Sequence, residues 1–389
     1  MADNMNMMEI SMDTFLNEIR ADLEDEIYDP IIGIGKSGIG KTMGIHELTQ
    51  ELGIGFCELR LVTMTEIDIL GIPKEDANGR TTYAANSLLP DEKRDGERGI
   101  LVLDEITSAQ STVRAAAYQL LDSKRALGEY KLPKHWKIVA LGNGIDDGGV
   151  FQGMEAAFLS RATCYRIEPN ADVWVKWAIK HGINSSVIAY IRWRPENIHV
   201  FNPDEIASIF PCPRSWTALA TKLTRREKRN KAVKNNGATL DVDDVELYAA
   251  GAIGVDLASD FASFYAYNED TLSAEDILSG KANPAALSNM RPEVVHLTIQ
   301  SLTKQVTKEL DEGRTGVGEF KKECVTRVVN CLRWAMKSNK LDYTLILFND
   351  LASTSDKFTE MALACDEFDE QLPEFMEYAQ KNNVVFKAK

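Results

Sequence analysis

The chain has 389 residues, of which 44% are hydrophobic, and a formal net charge of −15 at pH 7. This length allows a full core and predicts two or three domains, and the negative charge argues against a protein whose main work is to coat nucleic acid. No apolar stretch is long enough to span a membrane, and residues 1–26 lack the basic start and apolar core of a secretory signal, so we expect a soluble cytoplasmic protein without membrane insertion. The six cysteines are scattered without a C-x-x-C pair, which predicts reduced core thiols.

The first predicted element is an acidic amphipathic helix within residues 1–27. Its apolar residues recur at helical spacing, at Met12, Phe15, Ile19 and Leu23. We treat this stretch as an N-terminal helical segment.

Residues 30–42 predict a short buried strand, a glycine loop and a helix that ends near Leu52. The segment from Gly35 to Thr42 matches G-x-x-x-x-G-K-[ST] at every position. A triphosphate needs closely spaced backbone N–H donors, one flexible cation and one hydroxyl for the metal. We therefore expect a nucleoside triphosphate to bind the loop formed by Gly35, Lys36, Ser37, Gly38, Ile39, Gly40, Lys41 and Thr42, with Thr42 as a Mg²⁺ ligand.

Two other interpretations of this loop are open. Gly33, Gly35 and Gly38 also spell a dinucleotide-binding fingerprint, with Glu58 about 20 residues downstream where a ribose-binding acid would lie. Alternatively, the glycines only turn a strand into a helix. The acidic motif that follows favours the triphosphate.

Apolar runs at residues 31–34, 56–61, 100–103, 137–142 and 163–167 alternate with helical segments. This order predicts a parallel α/β sheet, in which ligands gather at the carboxyl ends of the strands. Turn signals at residues 70–73 and 78–83 predict a hairpin-like insertion between the second and third of these runs.

The run that begins at residue 99 ends in two carboxylates, Asp104 and Glu105. Asp104 would hold Mg²⁺ opposite Thr42, and Glu105 would polarise the attacking water. The same pair could instead be plain acids at a helix N-terminus, where Thr107 and Ser108 would suit a cap.

Three further polar residues are candidates for the site. Asn143 ends the next strand and could bind a γ-phosphate or the lytic water, although Asn143-Gly144 is also a strong turn dipeptide. Arg161 follows a predicted helix over residues 152–160. Taken alone it would be a surface salt-bridge residue, and if it serves a nucleotide site, an adjacent subunit's site is the more plausible target. Arg214 starts a helix fixed by two prolines and could reach the nucleotide from above.

From about residue 170 the pattern becomes helical. We predict helices over residues 174–181, 185–192, 216–228 and 245–267, followed by an acidic helical region broken by prolines. A basic cluster from Lys222 to Lys234 ends one of them, and it indicates a solvated helix end or a contact to an acidic partner or neighbouring subunit.

Taken together, these motifs resemble the AAA+ ATPases, and among them the MoxR-like group. The resemblance spans about residues 28–265 and rests on the glycine loop, residues 103–105, 140–143, 159–161 and 213–216. Residues 70–73 and 120–133 are similar to two hairpins that line the central channel in relatives.

The resemblance implies a parallel-sheet AAA+ P-loop domain over residues 28–169, with inserted hairpins, and a helical lid over 170–270. The helical pattern of residues 271–389, which lie beyond the resemblance, predicts an all-α C-terminal region. The resemblance also implies a ring homo-oligomer, usually a hexamer, with shared active sites. Asn143 would be the first sensor, Arg161 the arginine finger acting in trans and Arg214 the second sensor. Such proteins remodel client proteins, many with a partner that carries a von Willebrand factor A domain.

Three functions are therefore open. The leading hypothesis is an ATP-driven ring motor that acts on a protein client. The second is a nucleotide-gated scaffold of a phage-like or secretion-like machine, in which residues 271–389 form the docking surface. The third, a DNA-directed motor, has only the basic cluster in its favour and is opposed by the net charge.

Overall fold

The computed structural model describes residues 7–84, 86–144, 159–202, 209–234 and 239–386. The chain forms two compact units. The first comprises Met1–Asn170 with Phe201–Ala207, and the second comprises Ala171–Val200 with Ser208–Lys389. The predicted boundary near residue 270 stays a prediction. Among the described residues, no helix has the length and apolar character needed to cross a membrane.

The first unit is built on a parallel sheet. Its strands in chain order, including those of two small hairpins, are β1 Met8–Ile10, β2 Ile31–Gly35, β3 Gly55–Arg60, β4 Ile72–Glu75, β5 Thr81–Ala84, β6 Arg98–Asp104, β7 Ala126–Leu127, β8 Tyr130–Lys131, β9 His135–Gly142 and β10 Thr163–Ile167. Six of them form one sheet in the order β1-β10-β2-β9-β6-β3, and every neighbouring pair is parallel. The predicted α/β class is confirmed.

Helices cover both faces of this sheet. They are α1 Met12–Glu24, α2 Lys41–Leu52, α3 Glu66–Leu70, α4 Glu92–Asp95 and α5 Ser111–Leu121. Because side chains alternate along a strand, the odd and even residues of β6 and β9 join different apolar clusters. One cluster contains Leu101 and Ala140 with residues of α5, and the other contains Val102 and Val139 with residues of α1 and α2.

The N-terminal segment departs from the prediction of a single helix over residues 1–27. Helix α1 begins only after Ser11, whose hydroxyl accepts a hydrogen bond from the Thr14 N–H. The preceding residues form β1, which pairs with β10 at the edge of the sheet. A strand of three residues is too short to show an alternating pattern, so periodicity did not reveal it.

A buried lysine, Lys137 on β9, connects the end of α1 to the sheet. Its ammonium pairs with Asp22 at 2.8 Å and donates to the carbonyl oxygens of Ile27 and Asp29 at 3.3 and 2.7 Å. Burial lowers the pKa of Lys137, while the hydrogen bond to Asp22 opposes that shift. The polar end of Lys137 is therefore bound by protein groups rather than by water.

The second unit is helical. Its helices are α6 Ala171–Lys180, α7 Ser185–Trp193, α8 Pro213–Lys234, α9 Val242–Ile253, α10 Val255–Ala266, α11 Ala274–Leu278, α12 Pro292–Gly313, α13 Lys322–Met336, α14 Leu341–Thr354, α15 Asp356–Ala364, α16 Asp366–Gln371 and α17 Glu374–Lys381. Two apolar clusters form its core, one mainly from α6 to α10 and the other from α11 to α17. A small antiparallel hairpin, β11 Arg314–Gly316 with β12 Glu319–Phe320, interrupts this otherwise helical region.

The predicted single helix over residues 245–267 is wrong, because it is divided at Gly254. This glycine has φ of 89°, and a Cβ atom placed on it would lie 2.7 Å from the carbonyl oxygen of Ile209. A left-handed backbone ends one helix and the next begins immediately. Helical periodicity continues across the break, so the pattern alone did not show it.

Candidate nucleotide-binding site

The glycine loop connects β2 to α2, as the sequence predicted. Gly38 and Gly40 have φ of 79° and 93°, values that residues with a Cβ atom rarely adopt. Apart from the adjoining backbone, no heavy atom of the described residues lies within 4 Å of the position a Cβ would take on Gly40. The loop therefore has the conformation and the open space that a phosphate cradle at a helix N-terminus requires.

Gly35 has a different role from the other two loop glycines. It is the last residue of β2, and a Cβ atom there would lie 2.3 Å from the carbonyl oxygen of Ile167 on β10. The neighbouring strand thus approaches too closely for any side chain. Gly35 sets where the loop starts, while Gly38 and Gly40 shape the loop itself.

Lys41, the first residue of α2, lies across the loop and is almost fully buried. Its ammonium donates to the carbonyl oxygens of Gly35 and Lys36 at 2.7 and 2.9 Å, and to Oδ1 of Asn143 at 3.1 Å. The lysine predicted to contact the phosphates therefore also contacts the predicted sensor. The contact joins the loop to the end of β9.

Thr42 and Asp104 meet at the carboxyl end of β6. The hydroxyl of Thr42 donates to Oδ2 of Asp104 at 2.9 Å, and Asp104 is 8% exposed. Mg²⁺ takes oxygen ligands, and a hydroxyl beside a sheltered carboxylate supplies them. These two residues fit the metal predicted from the sequence.

Glu105 has an unusual backbone conformation for a residue with a side chain. Its φ is 57°, and its N–H donates to Oδ1 of Asp104 at 2.9 Å. A left-handed residue other than glycine costs about 1–2 kcal/mol, and such residues cluster at functional sites. This strained turn follows directly after β6. The chain therefore leaves the sheet at Glu105, the residue predicted to polarise the attacking water.

Thr107 forms a hydrogen bond with the backbone of Asn143. The sequence alone did not predict this contact. The Asn143 N–H donates to Oγ1 of Thr107 at 2.9 Å, and Thr107 is fully buried. A Cβ atom on Gly142 would lie 2.6 Å from Cγ2 of Thr107, so the glycine makes room for it. Thr107 was considered only as a helix cap. The small residue before Asn143 was the signal that could have indicated a close neighbour.

The two predicted arginines lie in different units. Arg161 is partly exposed at the edge of the first unit, and its Nε lies 2.6 Å from Oδ1 of Asp122, near the end of α5. Residues 152–158 of the helix predicted before it lie outside the described residues. Arg214 is an exposed residue in the first turn of α8 in the second unit. The functions of both arginines stay predictions.

The fold and the site define a P-loop nucleotide-binding domain on a parallel sheet, with its acidic strand end beside the loop. Residues 30–162 match the family model of the AAA domain, dynein-related subfamily. The first unit therefore contains an AAA+ domain. The chain is also similar to the solved structure of a RuvB mutant from Thermotoga maritima, with 13% identity, a TM-score of 0.34 and coverage of 72% of this chain and 81% of that one. No curated protein matches the chain.

Proposed function

We propose that this chain is a Mg²⁺- and ATP-dependent ATPase of the MoxR-like kind. In this proposal it works as a ring oligomer whose active sites are shared between subunits, and it remodels a protein client with a von Willebrand factor A-domain protein as partner. The single observation that carries the proposal is that two hydrogen bonds lie together at one end of the sheet. Thr42 bonds Asp104, and Lys41 bonds Asn143.

These residues have distinct tasks in phosphoryl transfer. The loop N–H groups and Lys41 would bind the β- and γ-phosphates, and Thr42 and Asp104 would hold Mg²⁺. When bound, the metal neutralises charge on the phosphate oxygens. Glu105 would accept the proton of the attacking water, and Asn143 would orient the water or the γ-phosphate from the end of β9.

Arg161 would complete the site of a neighbouring subunit. An arginine finger stabilises negative charge on the transferred phosphoryl group, and its planar guanidinium suits that task. The exposure of Arg161 supports this proposal, because 41% of its side chain is accessible to a neighbouring molecule while it pairs with Asp122.

The hairpin formed by β4 and β5 supports an action on a protein client. Ile72 is 68% exposed and Tyr83 is 40% exposed. Exposed apolar side chains on a hairpin bind unfolded or extended polypeptide through hydrophobic contact. We propose that ATP turnover moves this hairpin against the client.

Two substitutions test the catalytic part. Lys41→Ala should abolish binding of a fluorescent ATP analogue, while Glu105→Gln should bind it and lose phosphate release. Lys308→Ala, an exposed lysine in the second unit, is the control and should behave as wild type. Full phosphate release by either of the first two variants would contradict the assignment.

The client part is tested by trapping. Glu105→Gln loaded with Mg²⁺ and ATP should retain a client that wild type releases, and adding the purified client should stimulate wild-type turnover. Slow hydrolysis that no captured protein stimulates, with oligomer size following the nucleotide, would instead support a nucleotide-gated scaffold.

A further inference from the structure

The second unit carries a strongly basic surface that the proposed ATPase chemistry does not use. It lies on α8, and we define the basic face as the six exposed cations of residues 222–231. Lys222, Arg225, Arg226 and Arg229 lie along one side of the helix, and Lys228 and Lys231 extend the charge round it. All six side chains are exposed. At a rise of about 1.5 Å per residue, they extend along roughly 14 Å of helix. Some of them line an open depression of about 540 Å³.

The one carboxylate within this stretch does not neutralise the basic face. Glu227 accepts hydrogen bonds from the Asn184 side chain at 2.9 Å and from the Tyr265 hydroxyl at 2.8 Å. The Glu227 carboxylate is thus hydrogen-bonded to side chains inside the unit rather than paired with the cations. Among the residues that the structure describes, no carboxylate forms an ion pair with any of the six cations.

Part of the basic face is held in place by an aromatic ring. Nζ of Lys222 lies 4.4 Å from the ring centroid of Tyr248, and Cζ of Arg226 lies 5.4 Å from it. Cation–π contacts of this kind are worth about 0.5–1 kcal/mol at exposed sites. They restrain two long side chains without cancelling their charge, so the positive surface is partly preorganised for an anionic partner.

The same unit carries an acidic surface with a similar number of charges. Residues 366–377 contain six carboxylates and no cation, and we define the acidic face as the exposed members Asp366, Asp369, Glu370, Glu374 and Glu377 on α16 and α17. Glu374 lies 3.9 Å from Arg333, and within the described part of the chain no ion pair joins this face to the basic face of the same molecule. Each surface therefore has charge available for another molecule.

We propose that the basic face of one subunit docks on the acidic face of a second copy of this chain. The contact is heterologous, because two different surfaces meet, and contacts of this type generate rings when the rotation closes. The inference rests on the ring assembly of the proposed function and names the surfaces that would specify it. Charge complementarity would determine which surfaces meet and how the two faces are aligned.

Nucleic acid is the competing occupant, and two observations count against it. The chain has a net charge of −15, which repels polyphosphate at long range. Lys222 and Arg226 lie 4.4 and 5.4 Å from the ring centroid of Tyr248, so a base that stacks on this ring would have to compete with them. A second copy of this chain, in contrast, presents the exposed carboxylates of the acidic face.

Charge reversal tests the docking. Sedimentation of the full chain with Mg²⁺ and ATP should show assembly that weakens as salt is raised. Arg225→Glu with Arg229→Glu should raise the protein concentration needed for half assembly by about tenfold or more. Adding Asp366→Lys and Glu370→Lys to that chain should return this concentration to near the wild-type value.

A matched control separates specific pairing from net charge. We call the chain with Arg225→Glu and Arg229→Glu the α8 variant. Glu18→Lys with Glu24→Lys adds as much positive charge as the two changes on α16, but adds it on exposed positions of α1. These α1 changes should not rescue the α8 variant. Rescue by these α1 changes, or no rescue by the α16 changes, would overturn the proposal. Unchanged assembly of the α8 variant together with loss of salt-sensitive binding to duplex DNA would overturn it in favour of nucleic acid.

The result also distinguishes this inference from the proposed function. If wild type binds and hydrolyses ATP but never assembles, both the ring and the docking fail. If wild type assembles and the α8 variant assembles equally well, only the docking fails. Far-UV circular dichroism should show that each variant is folded, because the changed side chains are exposed.

Discussion

Replacing Thr107 by valine should damage the site without touching the phosphate loop. Valine keeps the shape of threonine but removes the hydroxyl that accepts the Asn143 N–H at 2.9 Å. Thr107 has 0% exposure, so water cannot take the place of the lost oxygen. An unsatisfied buried donor costs about 1–3 kcal/mol, and we expect the free energy of unfolding to fall by this amount.

The same change should lower turnover. Oδ1 of Asn143 lies 3.1 Å from Nζ of Lys41, so a shift of the Asn143 backbone changes a contact inside the site. If about 1.4 kcal/mol is lost in the transition state, kcat falls about tenfold. Binding of ATP depends mainly on the loop, and its Kd should change much less than kcat.

The assay compares three proteins by urea denaturation, nucleotide titration and phosphate release. Thr107→Ser is the control, because it keeps the hydroxyl and loses only a methyl group. We expect serine to retain most of the turnover and valine to lose it. A valine variant with wild-type stability and wild-type kcat would refute the argument that this hydrogen bond positions Asn143.

Three further predictions concern the fold around the site. Gly35→Ala should prevent stable folding, since its Cβ would lie 2.3 Å from the backbone oxygen of Ile167, and soluble, well-folded protein on gel filtration would contradict this. At Glu105, where φ is 57°, glycine should be more stable than alanine by about 1 kcal/mol in urea denaturation, and the opposite order would show that the left-handed conformation is not maintained. Lys137→Met should cost about 3 kcal/mol, because it leaves Asp22 and two carbonyl oxygens without the buried ammonium, and an unchanged unfolding midpoint would contradict that account.

The parts of the fold that the sequence predicted well depend on local patterns. The five strands that the sequence predicted are mostly apolar runs, and the loop needs glycines at fixed spacing, so both could be read from neighbouring residues. The contact of Thr42 with Asp104 followed from topology, because the carboxyl ends of parallel strands share one edge of the sheet. Local pattern and strand order together therefore predicted the centre of the candidate site.

The parts that were missed depend on contacts between distant segments. Thr107 and Asn143 are 36 residues apart, and only the folded sheet brings the hydroxyl to the N–H. Lys137 was read as an ordinary strand residue because its partners belong to the N-terminal segment more than 100 residues earlier. The division at Gly254 depends on the close approach of Ile209, which helical periodicity does not encode.

The most direct test of the account is the rate of ATP hydrolysis in a mixture of two inactive variants. Arg161→Ala keeps Glu105 but lacks the guanidinium, and Glu105→Gln keeps Arg161 but lacks the base. If one subunit completes the site of its neighbour, the two variants mixed in equal amounts should regain part of the wild-type rate that neither shows alone. Full activity of Arg161→Ala by itself, or a mixture that stays inactive, would contradict a shared site.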